Sequence, residues 1–291
     1  MKKTYLYAGI SIIFWSSLAT VSKLLLGTLN SYQVLMCSAF FAAVALLVVN
    51  IFTGKLKFLK KYRLKDYITT ILICSPGTFF YYVFLYSGTA KMAASQAFII
   101  NYLWPIMSVV FACIILKEKM TVRKSIAFAL SFVGVFTVAG DELLHFNSAS
   151  LIGIVLCVLA AVSYGLFTAL NQKWNYDYQV SMMISFIITF IMTVVINMAM
   201  GDELVLGLPQ VLGFAWNGFF VMALATVTWA LALELGSTAK VSNLAYITPF
   251  LSLVWTSLIL NEPIELLSVA GLVIIVVAIF IQLKSGESQN N

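Results

Sequence analysis

The chain is poor in charge. Only 10% of its 291 residues are charged, and its mean hydropathy is +1.01. Soluble domains carry about 25% charged residues. A sequence that is 62% hydrophobic has more apolar surface than a soluble fold can bury. These values exclude a soluble domain and make lipid the expected solvent for most of the chain.

Residue types that carry catalysis or bind metals are also scarce. The single histidine is His145, and Cys37, Cys74, Cys113 and Cys157 lie in separate apolar stretches without metal-ligand spacing. There is no HExxH motif, no P-loop and no pair of aspartates inside an apolar stretch. We therefore expect no catalytic residue, no metal and no cofactor. An intramembrane enzyme and a non-transporting scaffold remain the less favoured alternatives.

Long hydrophobic runs, in contrast, are abundant. A membrane-spanning helix needs about 20 apolar residues, and runs such as "LVIIVVAIFIQL" are continuous rather than alternating, which excludes a membrane β-barrel. The sequence predicts an all-α polytopic membrane protein with ten transmembrane helices. The predicted spans cover residues 5–26, 31–53, 67–90, 93–116, 122–140, 149–170, 179–200, 211–233, 241–260 and 264–283. The first also resembles a signal peptide, but no small-x-small cleavage site follows it, so we expect a span.

The basic residues are distributed asymmetrically between the predicted loops. If the N-terminus is inside, fifteen of the seventeen Lys and Arg residues fall on the cytoplasmic side, and only Lys23 and Lys91 lie toward the other. By the positive-inside rule, both termini are expected to be cytoplasmic. The net charge of +6 is then explained by topology and anionic lipid, so we expect no nucleic-acid partner.

Two segments of the chain share a sequence pattern. "PIMSVVFACIILKE" at 105–118 and "PFLSLVWTSLILNE" at 249–262 are identical at six of fourteen positions, at an offset of 144 residues. Each half of the chain contains five predicted spans, and because five is odd, the second half enters the membrane from the opposite side. We predict two inverted five-helix repeats, residues 1–144 and 145–291, an arrangement typical of secondary transporters. Chance similarity between apolar helices is the alternative.

With ten spans and this repeat, the chain resembles the drug/metabolite transporter superfamily, specifically its EamA-type members. "ILKEK" (115–119) and "ILNEP" (259–263) are similar to the pattern that ends the fourth helix of each repeat in that family. The resemblance implies a basket of ten helices around a central cavity that opens alternately to each side of the membrane.

Three further segments resemble one group within that superfamily, the bacterial exporters of aromatic amino acids. They are "NYLWP" (101–105), "GISIIFWSS" (9–17) and "TWALALELGSTAKVSNLAYITP" (228–249). This likeness implies export of amino acids or related metabolites across the bacterial inner membrane.

The "NYLWP" segment interrupts an otherwise apolar stretch. Pro105 has no N–H and clashes with the carbonyl one turn earlier, which loosens the helix around Asn101. Asn101 lies four residues before Pro105 and therefore on the same helix face. Tyr102 and Trp104 have polar tips that need a partner when buried. We interpret the segment as the wall of a polar, aromatic-lined cavity; a kink that serves only packing is the alternative.

Other polar and aromatic residues in the predicted spans are further candidates, although packing in the apolar interior is an alternative for each. Pro249 corresponds to Pro105 at the repeat offset, with Tyr246 and Thr248 before it. The candidate substrate-binding residues are Trp15, Ser16, Ser17, Tyr82, Tyr86, Asn101, Tyr102, Trp104, Tyr164, Trp229, Tyr246 and Thr248, with Pro105 and Pro249 as helix kinks.

No acidic or basic residue lies in the middle of a predicted span. Proton-coupled transporters usually carry an intramembrane carboxylate, so the hypothesis is a uniporter or facilitated exchanger driven by the substrate gradient. An uncharged cavity suits a small-molecule substrate that is neutral or zwitterionic with a large apolar part. Aromatic or bulky apolar amino acids are favoured; a quaternary ammonium or other organic cation held by ring faces is the alternative. A monomer in the bilayer is the expected state.

Overall fold

The computed structural model describes residues 2–140, 148–174, 176–235, 241 and 244–287, and every regular element within them is helical. The helices are α1 (Lys2–Leu26), α2 (Ser31–Phe52), α3 (Leu64–Cys74), α4 (Phe79–Thr89), α5 (Ala94–Asn101), α6 (Trp104–Ile115), α7 (Val122–Val138), α8 (Ser148–Lys173), α9 (Tyr178–Met200), α10 (Leu208–Ala215), α11 (Ala225–Leu235), α12 (Ile247–Leu260) and α13 (Leu266–Glu287). Short 3₁₀ segments lie at Lys55–Lys61 and Ser75–Gly77, and a π-helical segment at Trp216–Leu224 joins α10 to α11.

Seven helical stretches are long and apolar enough to cross a membrane. They are Lys3–Leu26, Ser31–Phe52, Leu64–Thr89, Ala94–Ile115, Ser148–Lys173, Tyr178–Met200 and Leu208–Leu235. The fifth, ninth and tenth predicted spans are also helical, as α7, α12 and α13. Large aliphatic and aromatic side chains cover the outer surface, for example Phe52, Leu72 and Met198, as expected where the solvent is lipid. The chain is therefore a polytopic, all-helical membrane protein.

The helices of the two halves pack against one another. From the first half, α1 packs against α11 and α12; from the second, α8 packs against α4 and α6. Two further pairs join the halves, α2 with α9 and α7 with α13. If each predicted span of the first half is replaced by the corresponding span of the second half, and the reverse, the same pairs of neighbours result.

Small residues allow the closest of these approaches. A Cβ atom on Gly134 of α7 would lie 2.6 Å from Ile275 Cγ1 and 2.9 Å from the Gly271 carbonyl of α13. A Cβ on Gly165 of α8 would lie 2.5 Å from Met107 Cβ of α6. In lipid there is little hydrophobic drive between helices, so such close backbone packing is a main source of association.

Several of the long spans are broken near their middles. The Ser75–Gly77 segment separates α3 from α4, and Tyr102 and Leu103 separate α5 from α6. The turn at Ala245–Tyr246 precedes α12 in the same way, a few residues before its proline. A break inside a membrane is tolerated where the freed backbone groups are buried in protein or line a cavity.

The ends of α6 and α12 have the same local geometry. Lys117 and Asn261, 144 residues apart, are the only described non-glycine residues with positive φ, at 59° and 56°. In both turns the following glutamate N–H donates to the carbonyl six residues earlier, at 3.4 Å (Glu118 to Ala112, Glu262 to Thr256). Both turns thus end the helix with a residue in the left-handed region.

Candidate functional site

A cavity of about 420 Å³ lies among α1, α4, α5, α6, α8, α9, α11 and α12. This volume falls within the range of small-molecule sites, about 300–1,000 Å³. Eleven of the lining residues are aromatic: Trp15, Tyr81, Tyr82, Phe98, Tyr102, Trp104, Tyr164, Phe167, Tyr178, Phe186 and Trp229. The others are Leu18, Gly77, Asn101, Thr168, Asn171, Gln172, Met182, Met222, Thr226, Ala230, Leu233, Ala245 and Thr248. None of these described residues is charged.

Burial shows where the cavity opens. Phe98, Phe186 and Met222 are almost completely buried, as are most of the other lining residues. Gln172, in the last turn of α8, also lines the cavity and is exposed. The mouth therefore lies at the Lys173 end of α8.

The aromatic wall is centred on Tyr164 of α8. Its ring lies 4.8 Å from the Tyr81 ring, 5.1 Å from the Trp104 ring in an edge-to-face arrangement, and 5.5 Å from the Phe167 ring, measured between centroids. Rings at these separations hold one another in place. The rings of Trp15 in α1 and Trp229 in α11 also line the cavity, and their centroids are 5.2 Å apart. The cavity therefore presents ring faces and edges from two separate groups of helices.

Asn101 is the last residue of α5 and is buried against this wall. Its Nδ2 donates to Tyr81 Oη at 3.0 Å, while its Oδ1 has no partner. Because a tyrosine hydroxyl can donate or accept, the amide can turn and still keep its bond to Tyr81. Asn101 can thus offer either its oxygen or its amino group to a molecule in the cavity.

Polar groups also lie where the two broken helices meet. Tyr102 Oη donates to the Ala245 carbonyl at 2.6 Å, which ties the break in the first half to the break before α12. Thr248, in the first turn of α12, is buried and its Oγ1 has no partner. A buried hydroxyl without a partner destabilises the protein by about 1–3 kcal/mol, so Thr248 is a second group available to a ligand.

Eight of the twelve candidate binding residues line this cavity. They are Trp15, Tyr82, Asn101, Tyr102, Trp104, Tyr164, Trp229 and Thr248. Pro105 is the second residue of α6 and Pro249 the third of α12, so each follows a break in its span.

The remaining four candidates lie outside the cavity lining. Ser16 Oγ accepts a hydrogen bond from Trp255 Nε1 at 3.0 Å, and Ser17 Oγ accepts one from Trp216 Nε1 at 2.8 Å. Tyr86 is completely buried, and the Tyr246 ring packs against Phe280 at 5.3 Å. Ser16, Ser17 and Tyr246 thus contact side chains of other helices, and a binding role for these four residues stays a prediction.

Several lining residues were not among the sequence candidates. Phe98 lies one turn before Asn101, so helical spacing from that candidate could have suggested it. Tyr178 and Phe186 of α9 lie near no candidate in the sequence, and no such signal was available for them. Asn171 and Gln172 sit at the end of α8, where a polar residue in sequence is indistinguishable from an ordinary loop-facing one. Tyr81 lines the cavity together with Tyr82, whereas the sequence favoured Tyr82 and Tyr86 because they lie four residues apart on one helix face.

A family model matches the chain twice, over residues 2–140 and 151–283, and its description is EamA-like transporter family. The chain belongs to the EamA-like transporter family. It is therefore a membrane transporter of small molecules. The two matches fall in the two halves of the chain.

Related proteins agree with this assignment. An uncharacterized transporter of Clostridium kluyveri is 26% identical over all of this chain and 96% of its own length. One of Archaeoglobus fulgidus is 22% identical over 97% of this chain and 99% of its own. The uncharacterized transporter YoaV of Bacillus subtilis is 25% identical over 83% of each chain. A solved crystal structure superposes with a TM-score of 0.68 over 96% of both chains at 17% identity, which supports the fold.

Proposed function

We propose that this transporter carries amino acids with aromatic or bulky apolar side chains and works as an exporter or uniporter. The observation that carries the proposal is the cavity itself: it is uncharged among the described residues, nearly half its lining is aromatic, and buried amide and hydroxyl groups lie beside the rings. A zwitterion with a ring matches this combination, because its apolar part can stack while its charged ends bind dipoles.

The mechanism we propose is alternating access of two inverted five-helix repeats, residues 1–144 and 145–291. Three observations support the repeat: the unchanged pattern of neighbours when the halves are exchanged, the matching positive-φ turns at Lys117 and Asn261, and two separate family matches. In inverted-repeat transporters the substrate site lies at the interface between the repeats near the membrane midplane. The broken helices beside Asn101 and Thr248 meet at that interface.

We assign the substrate's polar end to the broken helices and its ring to the aromatic wall. Asn101 and Thr248 each have an unpartnered oxygen, and Asn101 can turn to present its amino group instead. The carboxylate would take the amino group of Asn101, and the ammonium would take the oxygen of Thr248. Tyr164 and Trp104 then hold the side chain.

The second candidate substrate is a quaternary ammonium or other organic cation. Ring faces attract cations by about 0.5–2 kcal/mol each, and the cavity lining includes the rings of Trp15 and Trp229. A cation of this kind needs no group for a carboxylate, so it predicts little dependence on Asn101.

We further propose that transport needs no proton gradient, and that the protein lies in the bacterial inner membrane with both termini in the cytoplasm. The absence of a carboxylate from the described cavity lining supports the first point, and the asymmetry of the basic residues supports the second.

The experiment that tests the proposal is counterflow in proteoliposomes without a proton gradient. Vesicles are loaded with unlabelled phenylalanine, tryptophan, threonine, choline or buffer, and uptake of the matching labelled compound is followed. Uptake of phenylalanine or tryptophan supports the proposal. Uptake of choline alone assigns the aromatic wall to a cation, and uptake of none of them removes both substrate proposals.

A further inference from the structure

A lysine and a glutamate hold the turn between α4 and α5. Lys23 Nζ, near the end of α1, donates to the Thr89 carbonyl at 2.8 Å and to the Met92 carbonyl at 2.6 Å. The carbonyls at a helix C-terminus carry partial negative charge, so a cation is favoured there. Lys23 is therefore tied to the end of α4 and the turn that follows, although it has no carboxylate within ion-pair distance among the described residues.

Glu262 holds the other side of the same turn. Its Oε1 accepts from the Ala94 N–H at 2.8 Å, and its Oε2 accepts from the Ser95 N–H at 3.0 Å and the Ser95 hydroxyl at 2.7 Å. A carboxylate at a helix N-terminus satisfies free N–H groups and complements the helix dipole. Glu262 follows α12, so a residue of the second half caps α5 of the first half.

The next acidic residue extends this contact. Glu265 Oε2 accepts from Gln96 Nε2 at 3.0 Å. Three consecutive residues at the start of α5 are thus held by the short loop between α12 and α13. We call Lys23, Glu262 and Glu265, with the α4–α5 turn that they hold, the clamp.

The clamp lies at the opposite end of the molecule from the cavity mouth. Along α8, Gly153 packs against Gly88 and Met92 at the clamp, Tyr164 lies at the aromatic wall, and Gln172 lies at the mouth. At about 1.5 Å per residue, the clamp is roughly 16 Å from Tyr164 along the helix axis in the direction away from the mouth. α5 then runs from the clamp to the cavity, where Phe98 and Asn101 are lining residues.

We propose that the clamp is the gate that closes the far side of the cavity, and that the contacts of Glu262 with Ala94 and Ser95 must break for the cavity to open there. The carboxylate is a reversible cap, because water and other donors can replace its bonds when α5 moves away. The inference rests on the alternating access proposed above, but the distances that test it require no substrate.

The chain offers a matched control for Glu262. Glu118 occupies the corresponding position after α6 and pairs with Lys124 Nζ at 2.9 Å instead of capping a helix among the described residues. It is also half exposed. Glu118→Gln makes the same chemical substitution at the mouth end of the molecule and leaves the clamp contacts in place.

The experiment measures the distance between two spin labels across the clamp by pulsed electron paramagnetic resonance. In a full-length variant whose four cysteines are replaced by serine, labels are attached at Lys91→Cys in the α4–α5 turn and Ile264→Cys in the α12–α13 loop, both exposed positions. Glu262→Gln places an amide NH₂ against a backbone donor. Ser95→Ala, a milder change, removes only the hydroxyl bond, and Glu118→Gln is the control. Samples are studied in nanodiscs.

In the parent, we expect a minor population whose label distance is longer by at least ~5 Å. Glu262→Gln should increase this population about tenfold, and Ser95→Ala should increase it by a smaller factor. Glu118→Gln should leave the parent distribution unchanged. The inference is overturned if Glu262→Gln and Ser95→Ala both give the parent distribution, or if Glu118→Gln gives the same shift. If Glu262→Gln does not yield folded protein, Ser95→Ala decides alone. Failure of every compound in counterflow would remove the substrate proposal and leave these distances interpretable.

Discussion

Asn101 is the residue on which the substrate proposal depends most. We expect Asn101→Ala to raise the phenylalanine concentration for half-maximal counterflow about tenfold, because one charge-assisted hydrogen bond to the substrate is lost. Choline counterflow, if present, should change less than about twofold. The measurement is the concentration dependence of counterflow for both compounds.

Tyr81→Phe is the control for that prediction. It removes the hydroxyl that bonds Asn101 Nδ2 at 3.0 Å but leaves the amide in the cavity. We expect it to change phenylalanine counterflow by less than about threefold. Equal losses of phenylalanine and choline transport in Asn101→Ala would contradict the assigned role and indicate a general disturbance of the wall.

The Tyr164 ring gives a second prediction at the scale of the residue. Tyr164→Leu removes three ring contacts, with Tyr81, Trp104 and Phe167, and should lower the apparent affinity for phenylalanine about tenfold. Tyr164→Phe keeps the ring and should stay within about twofold, since such pairs contribute ~0.5–1.5 kcal/mol each. Direct binding by tryptophan-fluorescence or calorimetric titration checks both variants. Similar losses in both would assign the effect to the hydroxyl instead.

How far the sequence predicted the site depends on the kind of residue. Asn101 could be predicted because a polar residue and a proline in an apolar span need a structural reason. Trp104 could be predicted because its ring N–H needs a partner when buried. Ser16 and Ser17 were candidates on the same polarity, yet their hydroxyls bond Trp255 and Trp216. Which helix a short hydroxyl faces is decided by the neighbouring span, and one sequence carries no information about that neighbour.

At the scale of the element, the broken helices connect the fold to transport. Pro105 follows the break between α5 and α6, where Asn101 ends its helix. Pro105→Ala restores an N–H that can bond the Asn101 carbonyl and so stiffens the break. We expect the maximal counterflow rate to fall about fivefold or more while substrate affinity changes little, as for an element that moves during transport.

The control for this change is Pro209→Ala. Pro209 is also the second residue of its helix, the exposed α10, but residues 202–207 before it are not helical, so a restored N–H has no helical carbonyl to bond. Rate and affinity should both remain near those of the parent. A Pro105→Ala variant with an unchanged rate would show that the break needs no flexibility.

Close packing of α7 against α13 predicts an effect on stability rather than transport. Gly134→Ala places a Cβ 2.6 Å from Ile275 Cγ1 and 2.9 Å from the Gly271 carbonyl, so the helices must separate. We expect the Tm in detergent to fall by about 5 °C. Gly9→Ala is the control, because nothing lies within 4 Å of its new Cβ. An unchanged Tm for Gly134→Ala would mean that this interface contributes little.

The sequence predicted the positions of the helices well and their interruptions only in part. Pro105 predicted the break in the fourth span, because proline acts on its own helix. The π-helical segment at Trp216–Leu224 was not predicted; Gly218 there packs against the Ser38 carbonyl of α2, where a Cβ would lie at 2.5 Å. π-helices are rare, and neither this one nor its contact with another span is shown by periodicity within the span.

At the scale of the whole molecule, the cavity is open at one end and held shut at the other. The mouth lies beside Gln172 and Lys173, next to the basic Lys55–Lys61 segment, whose Lys55 pairs with Asp177 at 3.0 Å. The clamp lies at the opposite end of α8. If the basic segment is cytoplasmic, as the positive-inside rule predicts, this conformation faces inward.

That orientation gives the last prediction. In the cysteine-free background, a membrane-impermeant maleimide added outside intact cells should label Lys91→Cys, which is exposed at the clamp end, and should not label Gln172→Cys. With inverted membrane vesicles the pattern should reverse, because the Lys173 end then faces the reagent. The two variants are each other's control, and mass spectrometry counts the modified thiols. Labelling of Gln172→Cys from outside intact cells would place the basic residues on the external face and contradict cytoplasmic termini. This conformation would then face outward, and the clamp would close the cytoplasmic side.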